Sequence, residues 1–330
     1  MSKPEHSQFI SELKSALAGE VQDGPMARSL YSTDASLYQI RPLAVAVPRD
    51  PGDVRKCVET CLRFGVPILA RGAGTSLAGQ AVSEGLVINF SRHLRDILEI
   101  NREELWVRVQ PGIVLDELNQ QLRPTGLFFA PDVATSNRAT IGGMIGNNSA
   151  GLRSVRYGKT IDHLLELKAI LGDGREHHFR AVRRGGERVG EGSENAEIND
   201  GTGRVIDSLR EEIVLRFPDI NRLVNGYALN KLLDNANFNP GLLLCGAEGT
   251  LGIITEAKLK LEPLPPVTAL LVLESRTFAE TMSAVARLLT YQPSAVETMD
   301  RESLHMARTN SLTASSANRL TFLCRLNKPE

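Results

Sequence analysis

The feature that most limits what this chain can fold into is a set of three stretches nearly empty of bulky side chains. Residues 71–80 read RGAGTSLAGQ, residues 131–151 read PDVATSNRATIGGMIGNNSAG and residues 246–250 read GAEGT. Such stretches bring too little apolar surface to build a core. What they offer is backbone. Glycine lets the main chain approach a ligand closely and adopt positive φ, and successive N–H groups in a glycine-rich turn form a concave nest for oxyanions. RGAGTS follows directly on the apolar run Val66–Ala70, so a nest there would stand on the end of a strand. Thr75 and Ser76 add hydroxyl donors, and Arg71 supplies a charge or a brace. Pyrophosphate is a natural guest for this loop, and a tight turn around packed glycines explains it equally well. Three such stretches in one chain favour a long, flat ligand that needs backbone contact along its whole length.

The rest of the chain supplies a scaffold. Apolar spacing predicts helices over Ser7–Leu17, Asp53–Phe64 (with Asp53 as the cap), Val114–Leu122 and Val205–Arg216. It predicts strands at Leu43–Pro48, Val66–Ala70, Leu86–Phe90, Leu105–Val109, Leu164–Leu171 and Ile253–Leu261. The turn Gly172–Gly174 is expected to close a hairpin onto His177–Phe179. Residues 183–203 are polar and glycine-rich and read as a mobile surface loop. Pro263, Pro265 and Pro266 mark a boundary, after which Leu270–Glu274, Ala279–Thr290 and Ala295–Met299 read as the strand–helix–strand opening of a second domain. The class is α+β.

Several functions are excluded. Lysine plus arginine (38) balances aspartate plus glutamate (39), which argues against a protein that coats nucleic acid. No apolar run approaches the roughly 20 residues of a membrane helix, and the polar N-terminus lacks the apolar segment of a secretory signal. The four cysteines form no CxxC pair, so no metal or iron–sulfur site is encoded, and Cys57 and Cys61 read as buried small side chains. A cytoplasmic location is expected, with peripheral attachment to an inner membrane left open. The dinucleotide fingerprint GxGxxG fails because Leu77 stands where its third glycine belongs, and GxxxxGK[ST] fails at Arg153. GxSxG and HExxH are absent.

RGAGTS, then Pro131 with TIGGMIGNNSAG, then YGKTIDH, then GAEGTLGIIT resemble, in order and spacing, the FAD-linked oxidases of the vanillyl-alcohol oxidase superfamily. The resemblance covers roughly residues 30–330 and is to the D-lactate dehydrogenase and glycolate oxidase FAD-subunit branch, in particular the long bacterial members that carry an iron–sulfur domain. It implies a two-subdomain FAD-binding domain over residues 1–265, followed at 266–330 by the beginning of an α+β cap domain. It implies that Arg71, Gly72, Ala73, Gly74, Thr75 and Ser76, with Gly79 and Gln80 beyond, cradle the FAD pyrophosphate. Pro131, Asp132, Thr140, Gly142, Gly143, Asn147, Ser149, Ala150 and Gly151 correspond to the family's cofactor-lining stretch. Glu248, Gly249, Gly252, Ile253 and Ile254 correspond to the part near adenine and ribose or ring, and Tyr157, Gly158 and Asp162 to a supporting motif. Some relatives attach the flavin through a histidine in the first loop. Thr75 stands near that place, so the implied FAD is non-covalent.

By the same resemblance, the activity is oxidation of a small D-2-hydroxy acid such as D-lactate, glycolate or D-2-hydroxyglutarate by hydride transfer to flavin. An iron–sulfur domain or subunit would then accept the electrons. The family's substrate groups lie on the cap, near an HxGDGN-like segment that this sequence lacks. No catalytic residue is therefore assigned, and slow turnover or none is expected of these 330 residues alone. Two other readings stay open: an FAD-binding electron-transfer subunit of a larger complex without its own substrate pocket, and a nucleotide-binding module with no redox turnover.

Overall fold

A computed structural model describes residues 3–184, 195–310 and Thr313. The N-terminal part builds a small sheet. Helix α1 (Lys3–Ala16), strand β1 (Glu20–Gln22) and helix α2 (Pro25–Leu30) lead into β2 (Ala44–Val47), helix α3 (Pro51–Phe64), β3 (Ile68–Arg71) and β4 (Leu86–Asn89). The sheet order is β1-β2-β4-β3, with the last three strands parallel and β1 antiparallel at the edge. Strands β2 and β4 are buried along their whole length, as parallel strands covered on both faces should be. Helix α3 turns Val54, Cys57, Val58 and Cys61 into the same core as Phe9 and Leu13 of α1. Burial pushes the Cys61 thiol up to about 12, so it behaves as a small apolar side chain.

Asp50, rather than the expected Asp53, caps α3: its Oδ1 accepts the Asp53 N–H at 3.0 Å, and Pro51 opens the helix. Asp53 is buried and turns the other way. Its carboxylate accepts N–H groups from Ala18 (2.9 Å), Gly19 (2.8 Å) and Arg49 (3.1 Å), tying the end of α1 to the start of α3. Burial pushes the Asp53 carboxyl pKa up. The three N–H donors and the Lys56 ammonium outweigh that, so it ends below its ordinary 3.8. A carboxyl depressed in the fold stabilises above its unfolded pKa, and that stability is lost as pH falls through the lower folded value. Asp53→Asn is therefore expected to cost about 2 kcal/mol at neutral pH. The variant should also lose part of the stability decline that the wild type shows below its ordinary carboxylate range, read by urea titration at a series of pH values.

The second unit is an antiparallel sheet in the order β5-β6-β10-β8-β9. Its strands are β5 (Ile97–Asn101), β6 (Trp106–Val109), β8 (Leu164–Leu171), β9 (Glu176–Phe179) and β10 (Gly252–Lys260). Between β6 and β8 run helix α4 (Leu115–Leu122), the short strand β7 (Leu127–Phe128) and two short helices, α5 (Ile141–Gly146) and α6 (Ser154–Tyr157). Strand β7 pairs with β11 (Glu262–Pro263). Val107, Val109, Leu118, Ile141, Ile145 and Leu259 meet in this unit's core. Ile170 and Ile253 point the other way and join the core of the first unit, so the two units share a packed boundary. A register irregularity between Ile254 and Glu256 lets Ile254 keep the same face as Ala257 and leaves Ile253 opposite.

Three expectations are corrected. The polar loop over 183–203 lies partly outside the described residues (185–194), and from Ala196 on it is helical: α7 spans Ala196–Ser208. Gly203 is buried there, and a Cβ on it would meet the Arg184 guanidinium at 2.5 Å. Glycine in this helix thus serves close packing rather than a loop. The helix expected as Val205–Arg216 is broken at Leu209, after which α8 runs Arg210–Arg216. Beyond Pro263, helices α9 (Phe278–Leu289) and α10 (Arg301–Thr309) form, and the strands expected at 270–274 and 295–299 do not. Both segments are open to solvent and find no pairing partner among the described residues, and a strand without a ladder has nothing to hold it. The rest of the expected cap, 311–330 apart from Thr313, lies outside the described residues. No helix among the described residues is long and apolar enough to cross a membrane.

Candidate functional site

The first small-residue loop leaves the carboxyl end of β3 and is fixed from beneath by Arg71. That side chain is 8% exposed. Its guanidinium donates to the carbonyls of Ala81 (2.6 Å), Thr33 (2.8 Å) and Tyr31 (3.4 Å) and lies over the Tyr31 ring. Arg71 is thus the brace of the loop. Residues 31–38 wrap the outer side: Ala35 N–H donates to Gly74 O at 3.1 Å, and the Tyr38 ring occupies the place a Cβ on Gly79 would need. Gly74 has φ +70°, and a Cβ there would strike the Arg71 guanidinium at 2.4 Å. Among the described hydrogen bonds none is donated by the backbone N–H of Ala73, Gly74, Thr75, Ser76 or Leu77. This is an unspent row of donors on a held loop.

The second loop meets the first at Gly72, where a Cβ would stand 2.1 Å from Thr140 Oγ1. Thr140 caps α5, its Oγ1 accepting the Gly143 N–H at 3.3 Å. The other early N–H groups of α5 are already used, Ile141 donating to Ile113 O and Gly142 to Pro111 O. Asn148, which the sequence reading passed over, is buried with φ +47°, and its Oδ1 accepts the Ile161 N–H at 3.1 Å. The third loop docks on the second through Gly246 N–H to Ile145 O and Glu248 N–H to Gly146 O, both 2.9 Å. Gln80 Nε2 reaches Glu248 Oε1 at 3.4 Å, joining the first loop to the third, and Ser76 Oγ donates to Gln80 Oε1.

The three loops enclose one cleft with a cavity of about 230 Å3. Ligand pockets commonly run from about 300 Å3 upward, so a dinucleotide would lie partly along its open floor. Of the residues expected from the sequence, the cleft brings together Arg71 through Ser76, Gln80, Thr140, Gly142, Gly143, Asn147, Ser149, Glu248, Gly249, Gly252 and Ile254. Gly79, Pro131, Asp132, Ala150, Gly151 and Ile253 are not among its lining residues. Asp132 Oδ1 accepts the Arg153 N–H, and Gly151 lies against Asp132, so this pair shapes the loop. Ile253 faces the opposite side of the sheet from Ile254. Tyr157, Gly158 and Asp162 stand outside the cleft: Asp162 accepts from Lys159 N–H and Lys231 Nζ, and Tyr157 packs edge-on against Phe128. Missed were the apolar wall residues Phe90, Pro111, Val133, Met144 and Leu244. In sequence Phe90, Pro111 and Leu244 are indistinguishable from core, whereas Val133 and Met144 fall inside the second small-residue stretch.

The cleft suits a dinucleotide with flat rings. The row Ala73–Leu77 offers N–H donors to a pyrophosphate, and Gly146 and Gly249 face space that a Cβ would fill. Among the described residues, the ionisable side chains lining it are Arg71 and Glu248, and no histidine, cysteine or tyrosine is among them.

Comparison with known proteins agrees. Residues 42–180 match the family model of an FAD binding domain. The chain is 38% identical over 310 residues to a D-2-hydroxyglutarate dehydrogenase of Pseudomonas putida, covering 92% of this chain and 31% of the relative. It is 36% identical to the protein of that name in Escherichia coli K12 (91% and 30% covered) and 33% identical to glycolate oxidase subunit GlcD of Bacillus subtilis (74% and 42% covered). The chain thus spans about a third of the length of the dehydrogenases it matches. In fold it is similar to alkyldihydroxyacetonephosphate synthase, with a TM-score of 0.66 at 20% identity over 96% of this chain and 53% of that one. The loops that build the cleft from residue 71 to residue 151 fall inside the matched region, and on these grounds residues 42–180 of this chain carry an FAD-binding domain.

Proposed function

We propose that this chain holds FAD non-covalently in the three-loop cleft and serves as the flavin-binding part of an FAD-dependent oxidoreductase acting on a D-2-hydroxy acid, with D-2-hydroxyglutarate the first candidate. The observation that carries the reading is the unspent N–H row of Ala73–Ser76 on a loop that lines a cleft rich in glycine. The similarity to D-2-hydroxyglutarate dehydrogenases supports the substrate class. Bound flavin supplies a hydride acceptor for the hydroxyl-bearing carbon. The residues of this chain bind and orient. The first loop receives the pyrophosphate on its N–H groups, and Arg71 holds that loop in place from below. The apolar wall of Phe90, Val133, Met144 and Leu244 keeps water from one side.

The residues of the notional set that miss the lining, such as Asp132 and Gly151, act by holding the second loop. Thr75 and the absence of histidine, cysteine and tyrosine from the lining support non-covalent attachment. In this reading residues 1–265 are the FAD-binding domain and 266–330 the beginning of a cap. The resemblance to the family implies that the base and the carboxylate clamp lie on that cap. The GlcD relatives are named as subunits, which supports an alternative: an electron-transfer subunit, with an iron–sulfur domain or subunit as partner. The proposed location is the cytoplasm, at most peripheral to the inner membrane.

The test is anaerobic and stoichiometric, so that slow hydride transfer is read. FAD-loaded protein is mixed with D-2-hydroxyglutarate, its L enantiomer, D-lactate or glycolate. Slow bleaching of the flavin band by a D-2-hydroxy acid and not by the L enantiomer is expected. A flavin that dithionite bleaches and none of these acids touches would contradict the substrate class and favour the subunit alternative.

A further inference from the structure

Between β9 and β10 the chain makes a helical insertion with its own small core of Ile206, Ile213, Leu232 and Phe238. This core is separate from those of the two sheets. From it a segment without regular secondary structure, residues 218–228, runs back over the cleft loops. It is solvent-exposed along most of its length, so its own burial does little to hold it. Its hydrogen bonds go to the second and third loops. Arg222 Nη2 donates to Ala150 O at 2.8 Å, next to the cleft residue Ser149. Lys159, a buried ammonium following the second loop, donates to Asn221 O at 2.9 Å. Thr250 Oγ1 donates to Ala247 O at 2.7 Å, so the Tyr227 hydroxyl, 2.8 Å away, donates to Thr250 Oγ1. Gly246, with φ +88°, comes so close that a Cβ would stand 3.0 Å from Gly226 O and 3.4 Å from Val224 O.

One segment thus touches the second loop at Ala150 and the third at Gly246 and Thr250. We propose that residues 221–227 form a strap that sets the spacing of the second and third loops, and that Arg222 and Tyr227 are positioning residues for flavin retention. The inference rests on the FAD reading above. Neither side chain is among the residues that line the cleft, so their effect passes through the loops. Linkage makes the coupling reciprocal: if the strap favours the flavin-binding arrangement, bound FAD favours the strap. An exposed arginine in irregular chain is also a natural tryptic site.

The test uses the whole chain stripped of flavin, titrated with FAD by fluorescence quenching, for wild type, Arg222→Ala, Arg222→Lys and Tyr227→Phe. The rate of tryptic cleavage after residue 222 is followed with and without FAD. Loss of a hydrogen bond of this kind should weaken FAD binding by roughly tenfold in Arg222→Ala and by a smaller factor in Tyr227→Phe. Arg222→Lys should recover part of the loss, and FAD should slow cleavage of the wild type. Variants that bind FAD as the wild type does, with cleavage indifferent to FAD, would overturn the strap and leave the flavin reading standing. A wild type that binds no FAD would overturn both. Tyr227→Phe removes one hydroxyl from a 43%-exposed residue, so it reports even where Arg222→Ala folds poorly.

Discussion

Arg71→Ala is expected to cost the fold about 3 kcal/mol and to abolish flavin retention in the same step. The guanidinium is buried and supplies hydrogen bonds to three carbonyls, at Tyr31, Thr33 and Ala81. Truncation leaves those acceptors without a donor in a place water reaches poorly, and a buried acceptor left unpaired loses its full desolvation cost. The loop then loses its ties to Tyr31 and Thr33 at one end and to Ala81 at the other, and the N–H row is no longer held in place. Arg71→Lys should fall between, since an ammonium cannot reach all three carbonyls in the planar fork of a guanidinium. Urea titration reads the stability, and bound FAD per chain reads the site. A variant that keeps wild-type stability and flavin content would show that the brace is dispensable.

Gly72→Val should lower FAD affinity at least a hundredfold while costing the fold less, about 1–3 kcal/mol of overpacking. A Cβ at residue 72 stands 2.1 Å from Thr140 Oγ1, 3.3 Å from its Cβ and 3.4 Å from its Cγ2, so rotating the threonine only exchanges one clash for another. Thr140 is 2% exposed and caps α5, leaving it little room to retreat. The first and second loops must therefore part, and the cleft lies between them. Gly72→Ala combined with Thr140→Ala removes the Oγ1 and Cγ2 contacts and leaves only the 3.3 Å approach to Cβ. The cycle of single and double variants should show affinities that are not additive, the double binding better than the sum of the singles allows. Strict additivity would mean that the two loops do not depend on this contact.

The first loop is legible because small residues directly after an apolar strand bring no core of their own, and the N–H groups of Ala73–Leu77 make no described bond. The reason given for each glycine was less secure. Gly72, Gly142 and Gly151 are small because Thr140, Pro111 and Asp132 press on them, so the loops need glycine to pack on one another as well as to admit a ligand. The walls Phe90, Pro111 and Leu244 carry no signal of their own, since an apolar residue at an element's end reads as core. Ile253 and Ile254 were paired in the sequence, but neighbours in a strand face opposite sides, and only Ile254 reaches the cleft. Strand β5 was missed because it is a half-exposed edge with little apolar periodicity. The strands expected at 270–274 and 295–299 had the apolar run but lack a partner, which a pattern within one segment cannot supply.

The measurement that bears most directly on the central claim is a visible absorption spectrum of the protein after incubation with FAD and gel filtration, repeated on the supernatant after acid precipitation. The account predicts about one flavin per chain travelling with the protein and all of it recovered in the supernatant as intact FAD. Protein that emerges colourless after exposure to FAD would contradict the cofactor assignment, and flavin that stays in the precipitate would contradict non-covalent binding.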